Sequence, residues 1–129
     1  MSFAQQRQLL AAQLANNVAW STFSFPPAVP QANSVVIEPD DPYIESNNMK
    51  GDLLAKMRVR VRMYVPLMDN EGNLAGLEDM AQAVRARILD GTQNCGPMSG
   101  PSVFSSDTGD LLTAYFPVEL LTEWDGNAS

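Results

Sequence analysis

Histidine is absent from this 129-residue sequence, and cysteine occurs once, at Cys95. Without histidine the chain cannot form a Ser-His-Asp or Cys-His catalytic set, a histidine metal site or the usual pH switch. A single cysteine cannot form an intramolecular disulfide. Cys95 lies in the run Asn94–Pro97, which predicts a loop. We therefore interpret it as a reduced thiol without a special role, as in a cytosolic protein.

Long apolar runs are also missing. No stretch approaches the roughly 20 apolar residues that a membrane-spanning helix needs. The first residues are polar and lack the unbroken apolar segment of a secretory signal. The sequence therefore predicts a soluble protein that is made in the cytoplasm and does not contact a membrane.

Basic residues are scarce and unevenly placed. The chain has 8 Lys and Arg against 15 Asp and Glu, for a net charge of −7. Four of the bases lie within seven residues, so the rest of the chain has 15 acids and 4 bases, a balance of −11. A protein that binds nucleic acid over its whole surface is usually basic. A local basic patch on an acidic chain is better suited to pairing with another copy of the chain.

The basic cluster lies in the stretch Lys56–Val65, where apolar and polar residues alternate. The apolar side chains occupy the odd positions, and the even positions hold Lys56, Arg58, Arg60, Arg62 and Tyr64. A period of two predicts a half-buried β-strand with one face on the core. Neighbours on one face are about 6.5–7 Å apart, so the cations repel unless an anionic group lies over them. We therefore expect contact with an acidic surface, with simple solvation as the alternative.

The remaining sequence predicts an α+β domain. Apolar residues at three- and four-residue spacing predict helices over Ser2–Val18 and Leu74–Asp90. An extended edge segment is expected at Trp20–Pro30, and further strands are expected at Ser34–Glu38, Ser102–Ser105 and Leu112–Leu120. Turns or loops are expected at Asp69–Asn73, Thr92–Gly100 and Asp107–Asp110, and the chain is expected to fray from Thr122. This order is typical of one domain over residues 1–129, with a mostly antiparallel sheet and both helices on one face.

Three packing expectations follow from this assignment. Val59 and Val61 of the alternating strand should share a core with Val84 and Ile88 of the second helix. Pro39 should end the strand before it, because proline does not donate to a ladder. Pro117 should lie at a sheet edge or at a bulge for the same reason.

The segment Asp40–Glu45 predicts an acidic turn. Its three carboxylates, on Asp40, Asp41 and Glu45, lie within six residues and could approach a hard cation. Calcium loops need more oxygen ligands and a characteristic glycine spacing. A solvated loop, or one paired with arginines, is therefore the preferred interpretation, and no metal site or cofactor is predicted.

Taken together, these elements resemble the tail terminator proteins of long-tailed, siphovirus-type bacteriophages, particularly those of actinobacterial hosts. The likeness spans most of the chain. It rests on the N-terminal helix, the run Val35–Glu45, the alternating strand Met57–Val65, the helix Leu77–Leu89 and the final hairpin. The resemblance implies an α+β fold and a hexameric ring in the neck of the virion, between tail and head. Such a ring stops polymerisation of the tail tube protein and docks the head–tail connector protein.

The resemblance assigns no role to the basic face, so its partner is inferred from charge. Our hypothesis places it at a subunit interface or along the channel through which DNA passes, where non-specific DNA contact is possible. The candidate residues are Arg58, Arg60, Arg62, Asp40, Asp41, Tyr43 and Glu45.

Five alternatives to a tail terminator stay open. The chain could form another neck ring or a minor tail protein, or serve as a non-viral binding module. An enzyme that uses Asp40, Asp41 and Glu45 is disfavoured, because no nucleophile–base pair or metal spacing accompanies them. A nucleic-acid-binding module built on the three arginines is disfavoured too, because only Tyr64 interleaves with them.

Overall fold

The computed structural model describes residues 3–16, 19–46, 54–67, 71–88, 93–105 and 109–123. Within these ranges the helices are α1 (Phe3–Leu14) and α2 (Glu71–Arg87). The strands, in chain order, are β1 (Ser21–Phe23), β2 (Ser34–Ser46), β3 (Leu54–Pro66), β4 (Gln93–Cys95), β5 (Ser102–Phe104) and β6 (Leu111–Glu123).

The basic strand predicted from the alternation is β3, and it lies at the centre of the sheet. It pairs antiparallel with β2 on one side and with β6 on the other. β1 adds to β2 as a short parallel edge strand. β4 and β5 both pair antiparallel with β6, at opposite ends of that strand. The predicted fold class, α+β with a mostly antiparallel sheet, is confirmed.

Both helices pack on one face of this sheet, which confirms their predicted placement. The odd-numbered side chains of β3 are buried against Leu10 and Leu14 of α1 and Leu77 of α2. The predicted group of Val59, Val61, Val84 and Ile88 belongs to this same core. Burying an aliphatic side chain of this size contributes about 1.5–3 kcal/mol, so these contacts fix which face of β3 is inside. Neither described helix is long and apolar enough to span a membrane.

Helix α1 ends at Leu14, four residues earlier than predicted. The Trp20 indole donates a hydrogen bond of 2.9 Å to the carbonyl of Leu14, and Asn16 forms a bridge with Trp20. The helix therefore stops where a buried aromatic ring binds one of its terminal carbonyls, a satisfied end of the kind that helices require. Trp20 is buried in the main core, whereas Val18, the predicted end of the helix, lies outside the described residues.

Helix α2 starts at Glu71, three residues earlier than predicted. Residues 71–73, which were expected to belong to a turn, are instead the first helical residues, and Asp69 and Asn70 lie outside the described residues. Glycine and asparagine are weak helix formers, but the first four N–H groups of a helix lack intrahelical partners in any case. The predicted end of the helix at Asp90 lies outside the described residues.

Strand β2 does not end at Pro39, which corrects the sequence prediction. It runs through to Ser46, with a break in register between the pairs Pro39–Val59 and Ile44–Met57. Over that interval β2 advances five residues while β3 advances two. The expected acidic turn is therefore a bulge inside a strand, and the proline lies where regular pairing stops, a position that tolerates it.

The predicted loop at Thr92–Gly100 contains a strand, β4, and then follows the edge of β6. The amide of Gly96 donates to the carbonyl of Pro117 at 2.7 Å, and that of Ser99 donates to the carbonyl of Tyr115 at 2.8 Å. Pro117 lies in an interior strand, between β3 on one side and β4 and β5 on the other, which corrects the prediction of a sheet edge or a bulge. It falls in the gap between the residues of β6 that pair with β4 and those that pair with β5, where a residue without an N–H is tolerated. β6 itself extends to Glu123, past the expected fraying point at Thr122. The turn residues 106–108 and the tail from 124 lie outside the described residues.

The open face of the sheet as a candidate functional site

The even-numbered face of β3 lies on the side of the sheet opposite the helices. We call this surface the open face. Its central residues are Glu38 and Asp40 on β2, Arg58, Arg60 and Arg62 on β3, and Thr113, Tyr115 and Glu119 on β6. The alternation of β3 places its arginines there, because the odd positions are occupied by the core.

Arg62 is the most enclosed of the three arginines. Its Nε donates to Oε1 of Glu38 at 2.8 Å, and its Nη1 donates to the Thr113 hydroxyl at 3.2 Å. Its guanidinium also lies 4.9 Å from the centroid of the Tyr115 ring. The side chains of Arg62 and Glu38 are only 17% and 20% exposed. This pair is therefore shielded from water more than a typical surface ion pair.

Arg60 contacts the same tyrosine ring from the neighbouring position on the same face of β3, two residues before Arg62. Its guanidinium lies 4.7 Å from the Tyr115 centroid, and its Nε donates to Oδ1 of Asp40 at 2.9 Å. Desolvation by burial opposes the charged form of Arg60, but the hydrogen bond and charge of Asp40 outweigh it and raise the pKa. One aromatic ring thus lies against two cations, an arrangement that cation–π attraction stabilises.

Arg58 binds two carboxylates from different strands. Its Nη2 donates to Oε1 of Glu45 at 2.5 Å, and its Nε lies 3.5 Å from Oε2 of Glu119. The hydrogen bond from Arg58 lowers the pKa of Glu45 and in turn raises the pKa of Arg58. Arg60 thereby binds Asp40, the first residue of the β2 bulge, and Arg58 binds Glu45, which lies just after the bulge.

Among the residues whose side chains the structure describes, the charges of the open face balance within one chain. Lys56, Arg58, Arg60 and Arg62 supply four positive charges, and Glu38, Asp40, Glu45 and Glu119 supply four negative charges. The repulsion expected from the sequence is therefore offset by carboxylates of the same molecule. An external acidic surface is not required to stabilise these arginines, although their position at an interface or channel stays a prediction.

Five of the seven candidate residues come together in this network, and two do not. Asp41 is exposed, and its amide donates to Oδ1 of Asp40 at 2.8 Å, but no ion pair joins it to the three arginines. Tyr43 is half-buried and packs against the main core. Both lie in the β2 bulge, apart from the arginine cluster.

The sequence analysis missed the other partners of the arginines. These are Glu38, Thr113, Tyr115 and Glu119. A usable signal was present, because Glu38 and Asp40 are two residues apart and so share a strand face. That spacing matches the two-residue spacing of the arginines, but the pairing itself depends on the register between strands.

At the end of β3 the open face becomes apolar. Val36, Tyr64 and Leu111 form a small buried cluster, with Phe23 packed against it. The Phe104 ring meets Tyr64 edge-on, with centroids 6.0 Å apart and an interplanar angle of 78°. Burial raises the pKa of Tyr64. This cluster gives the uncovered side of the sheet a second, smaller core.

The carboxylates of the open face act as hydrogen-bond acceptors. Asp40 and Glu45 accept from arginines, and the lowered pKa of Glu45 favours its anionic form. That is the opposite of what a general acid needs near neutral pH. Within the described part of the chain, no group of three or more His, Cys, Asp or Glu residues is arranged to hold a metal ion.

Comparison with known proteins adds no assignment to this geometry. No family model matches the sequence, and no curated protein matches it significantly.

Proposed function

We propose that this chain is a structural protein of a phage virion: a tail terminator that forms a ring, the hexamer that the resemblance implies. The ring caps the tail tube and joins it to the head connector. In this proposal the protein is not an enzyme, and its partners are copies of itself, the tail tube protein and the connector protein.

One observation carries the proposal. The separate stretches on which the resemblance rests form a single sheet, with the Val35–Glu45 run and the Met57–Val65 strand side by side as β2 and β3. The final hairpin strand β6 pairs along the whole of β3, and the two helices cover one face. The resemblance therefore follows a folded unit rather than scattered local patterns. Because one fold can host many functions, assembly has to be tested directly.

The open face is consistent with a structural role. Cross-strand ion pairs and a shared tyrosine ring connect three neighbouring strands, β2, β3 and β6. Such pairs stabilise a particular strand register. A ring subunit benefits from a sheet whose strands keep one register.

Nucleic-acid binding through this face is the weaker candidate. A phosphate that bound Arg58, Arg60 or Arg62 would have to displace a carboxylate already hydrogen-bonded to that arginine. Charge-assisted bonds of this kind are about twice as strong as neutral ones. The balanced charge of the face also removes the long-range attraction to DNA that a basic patch would supply.

The mass of the purified protein in solution, followed by negative-stain images, tests the proposal. A closed ring with an open centre is expected, either in the free protein or after addition of tail tubes assembled from the tail tube protein of the same phage. Tubes with the protein bound at one end, and no longer able to elongate, would support the terminator role. Rings that do not bind tail tubes would favour the alternative that the protein forms another ring of the neck. A monomer that does not bind tail tubes would contradict the proposal.

A further inference from the structure

A cleft opens on the helical side of the domain, between α2, the end of β3 and the segment that joins α1 to β1. Its volume is about 380 Å³, which lies in the range of roughly 300–1,000 Å³ that is typical of small-molecule sites. The floor is apolar, because the buried residues Trp20, Val65 and Met80 line it. The cleft is separate from the open face, which lies on the opposite side of the sheet.

The rim of the cleft carries an acidic side chain that is available to a ligand. Among the described residues that line the cleft, only Asp79 is charged, and it is exposed. Neither its carboxylate nor the side chain of Asn33, which lines the same cleft, forms a hydrogen bond or ion pair within the described ranges. A cation can therefore bind Asp79 without displacing an existing partner, in contrast to the arginine-bound carboxylates of the open face.

Helix α2 has an interior glycine where it borders the cleft. Gly76 lies one turn before Asp79 and Met80 on the same side of the helix. Glycine in a helix interior is less favourable than alanine. The backbone of Gly76 is helical, and a Cβ added there would meet no atom within 4 Å. Neither backbone conformation nor packing among the described residues therefore requires glycine at this position, and its missing side chain keeps the mouth of the cleft open.

A cation behind the floor of the cleft sets the direction in which a charged ligand would bind. The guanidinium of Arg87 lies 5.4 Å from the centroid of the Trp20 ring, but Arg87 does not line the cleft. Asp79 precedes Arg87 by eight residues, a distance of about 12 Å along the helix. A positive group would thus be repelled beside Trp20 and attracted beside Asp79. The charges favour a ligand whose apolar part contacts Trp20 and whose cationic part contacts Asp79.

We propose that this cleft binds a small molecule that has an apolar body and one protonated amine. The amine donates hydrogen bonds to the carboxylate of Asp79 and to the side-chain oxygen of Asn33. Asn16 also lines the cleft, but its side-chain oxygen already accepts the Ala19 amide at 3.3 Å. The apolar body is buried on the floor of the cleft, which removes both surfaces from water. A carboxylic acid of the same shape would bring a second anion to Asp79 and would not bind. This site does not depend on the proposed ring.

Tryptophan fluorescence tests the class of ligand, because Trp20 lines the cleft and the chain has one other tryptophan, Trp124. In a Trp124→Phe background the emission reports on Trp20. Titration with 2-phenylethylamine at pH 7 should change this emission saturably. The uncharged 2-phenylethanol should bind at least about tenfold more weakly, and 3-phenylpropionate should not bind. No saturable change with the amine, or equal affinity for the amine and the alcohol, would overturn the proposal.

Two matched pairs of variants then locate the site. Asp79→Asn should weaken the binding of 2-phenylethylamine about tenfold, whereas Glu78→Gln, which removes an exposed carboxylate outside the cleft, should leave it unchanged. Gly76→Leu should fill the mouth of the cleft and abolish binding, whereas Gly100→Leu, at another glycine that faces open space, should not. All four positions are exposed, so the thermal midpoint should not fall in any variant.

Equal weakening by Asp79→Asn and Glu78→Gln would indicate attraction to the net negative charge alone and would overturn the site. Full binding by Gly76→Leu would overturn it as well. None of these measurements depends on assembly, so a negative result here leaves the proposed ring unaffected.

Discussion

The ion pair between Arg62 and Glu38 should stabilise the fold more than the pair between Arg58 and Glu45, although both join β2 to β3. In the first pair the side chains are 17% and 20% exposed, and in the second they are 24% and 41% exposed. Water screens an exposed pair more effectively, and exposed pairs contribute little. The burial of the two ion pairs, rather than the shorter contact distance of the second pair, should therefore decide which of them contributes more to the free energy of unfolding.

The magnitude for Arg62 follows from its contacts. Two opposite charges about 4 Å apart attract by about 4 kcal/mol at an effective dielectric constant of about 20. Desolvation and side-chain ordering offset most of that, and a hydrogen bond to a charged group contributes about 1.5–3 kcal/mol net. Arg62→Met also loses the Thr113 hydroxyl and the Tyr115 ring. We expect it to lower the free energy of unfolding by about 2 kcal/mol, of which about 1 kcal/mol is coupling to Glu38.

Two double-mutant cycles measured by urea unfolding at low salt test this order. One combines Arg62→Met with Glu38→Gln, and the other combines Arg58→Met with Glu45→Gln as the matched, more exposed control. The coupling energy should be larger in the first cycle and less sensitive to added salt. A first-cycle coupling that is equal to or below that of the control would refute the argument that burial ranks these pairs.

Three further outcomes are expected. Val61→Asp should leave the chain unfolded by circular dichroism, because it places an unpaired charge in the core at a cost of several kcal/mol; a normal thermal transition would contradict the assignment of strand faces. The pKa of Glu45 is lowered from 4.5 on folding, so its stabilising effect is present above that pH and is lost as the pH falls through the folded pKa. Glu45→Gln should remove this part of the pH dependence of the unfolding free energy, measured by urea titration at acidic pH. An unchanged pH dependence in that variant would contradict the role of Glu45. A Cβ at Gly96 would lie 2.7 Å from Cγ of Pro117, so Gly96→Ala should cost about 1–3 kcal/mol in unfolding free energy, whereas Gly100→Ala, which meets open space, should be close to neutral.

The sequence was sufficient where a signal is local and repeated. Ten alternating residues in β3 defined both of its faces, and three- and four-residue spacing located α2 and its core contacts. Such a pattern indicates which positions are buried, because it depends only on how apolar and polar residues alternate within one segment. β4 was missed for the same reason, because three residues, Gln93–Cys95, are too few to show a period.

The partners of the arginines could not be derived, because they depend on register between strands. Glu38 lies opposite Arg60 in the ladder but binds Arg62, and Asp40 binds Arg60 from inside the bulge. A shift of one residue would move every one of these side chains to the other face. Pro39 gave a misleading signal, because the rule that proline ends a strand does not apply where the register itself breaks.

The arginines pair with carboxylates of their own subunit, so a test of their role in assembly has to keep these ion pairs intact. Changing Arg58 and Arg60 to glutamate would add two carboxylates next to Asp40 and Glu45 and would weaken the fold itself, whether or not this face lies at an interface. Exchanging partners, with Arg60→Asp and Asp40→Arg together, keeps an ion pair at that position while it rearranges the charges that a neighbour would meet. If this exchanged chain folds and still assembles, the open face serves the fold of its own subunit. If it folds with an unchanged unfolding midpoint but fails to assemble, the open face lies at a contact between subunits.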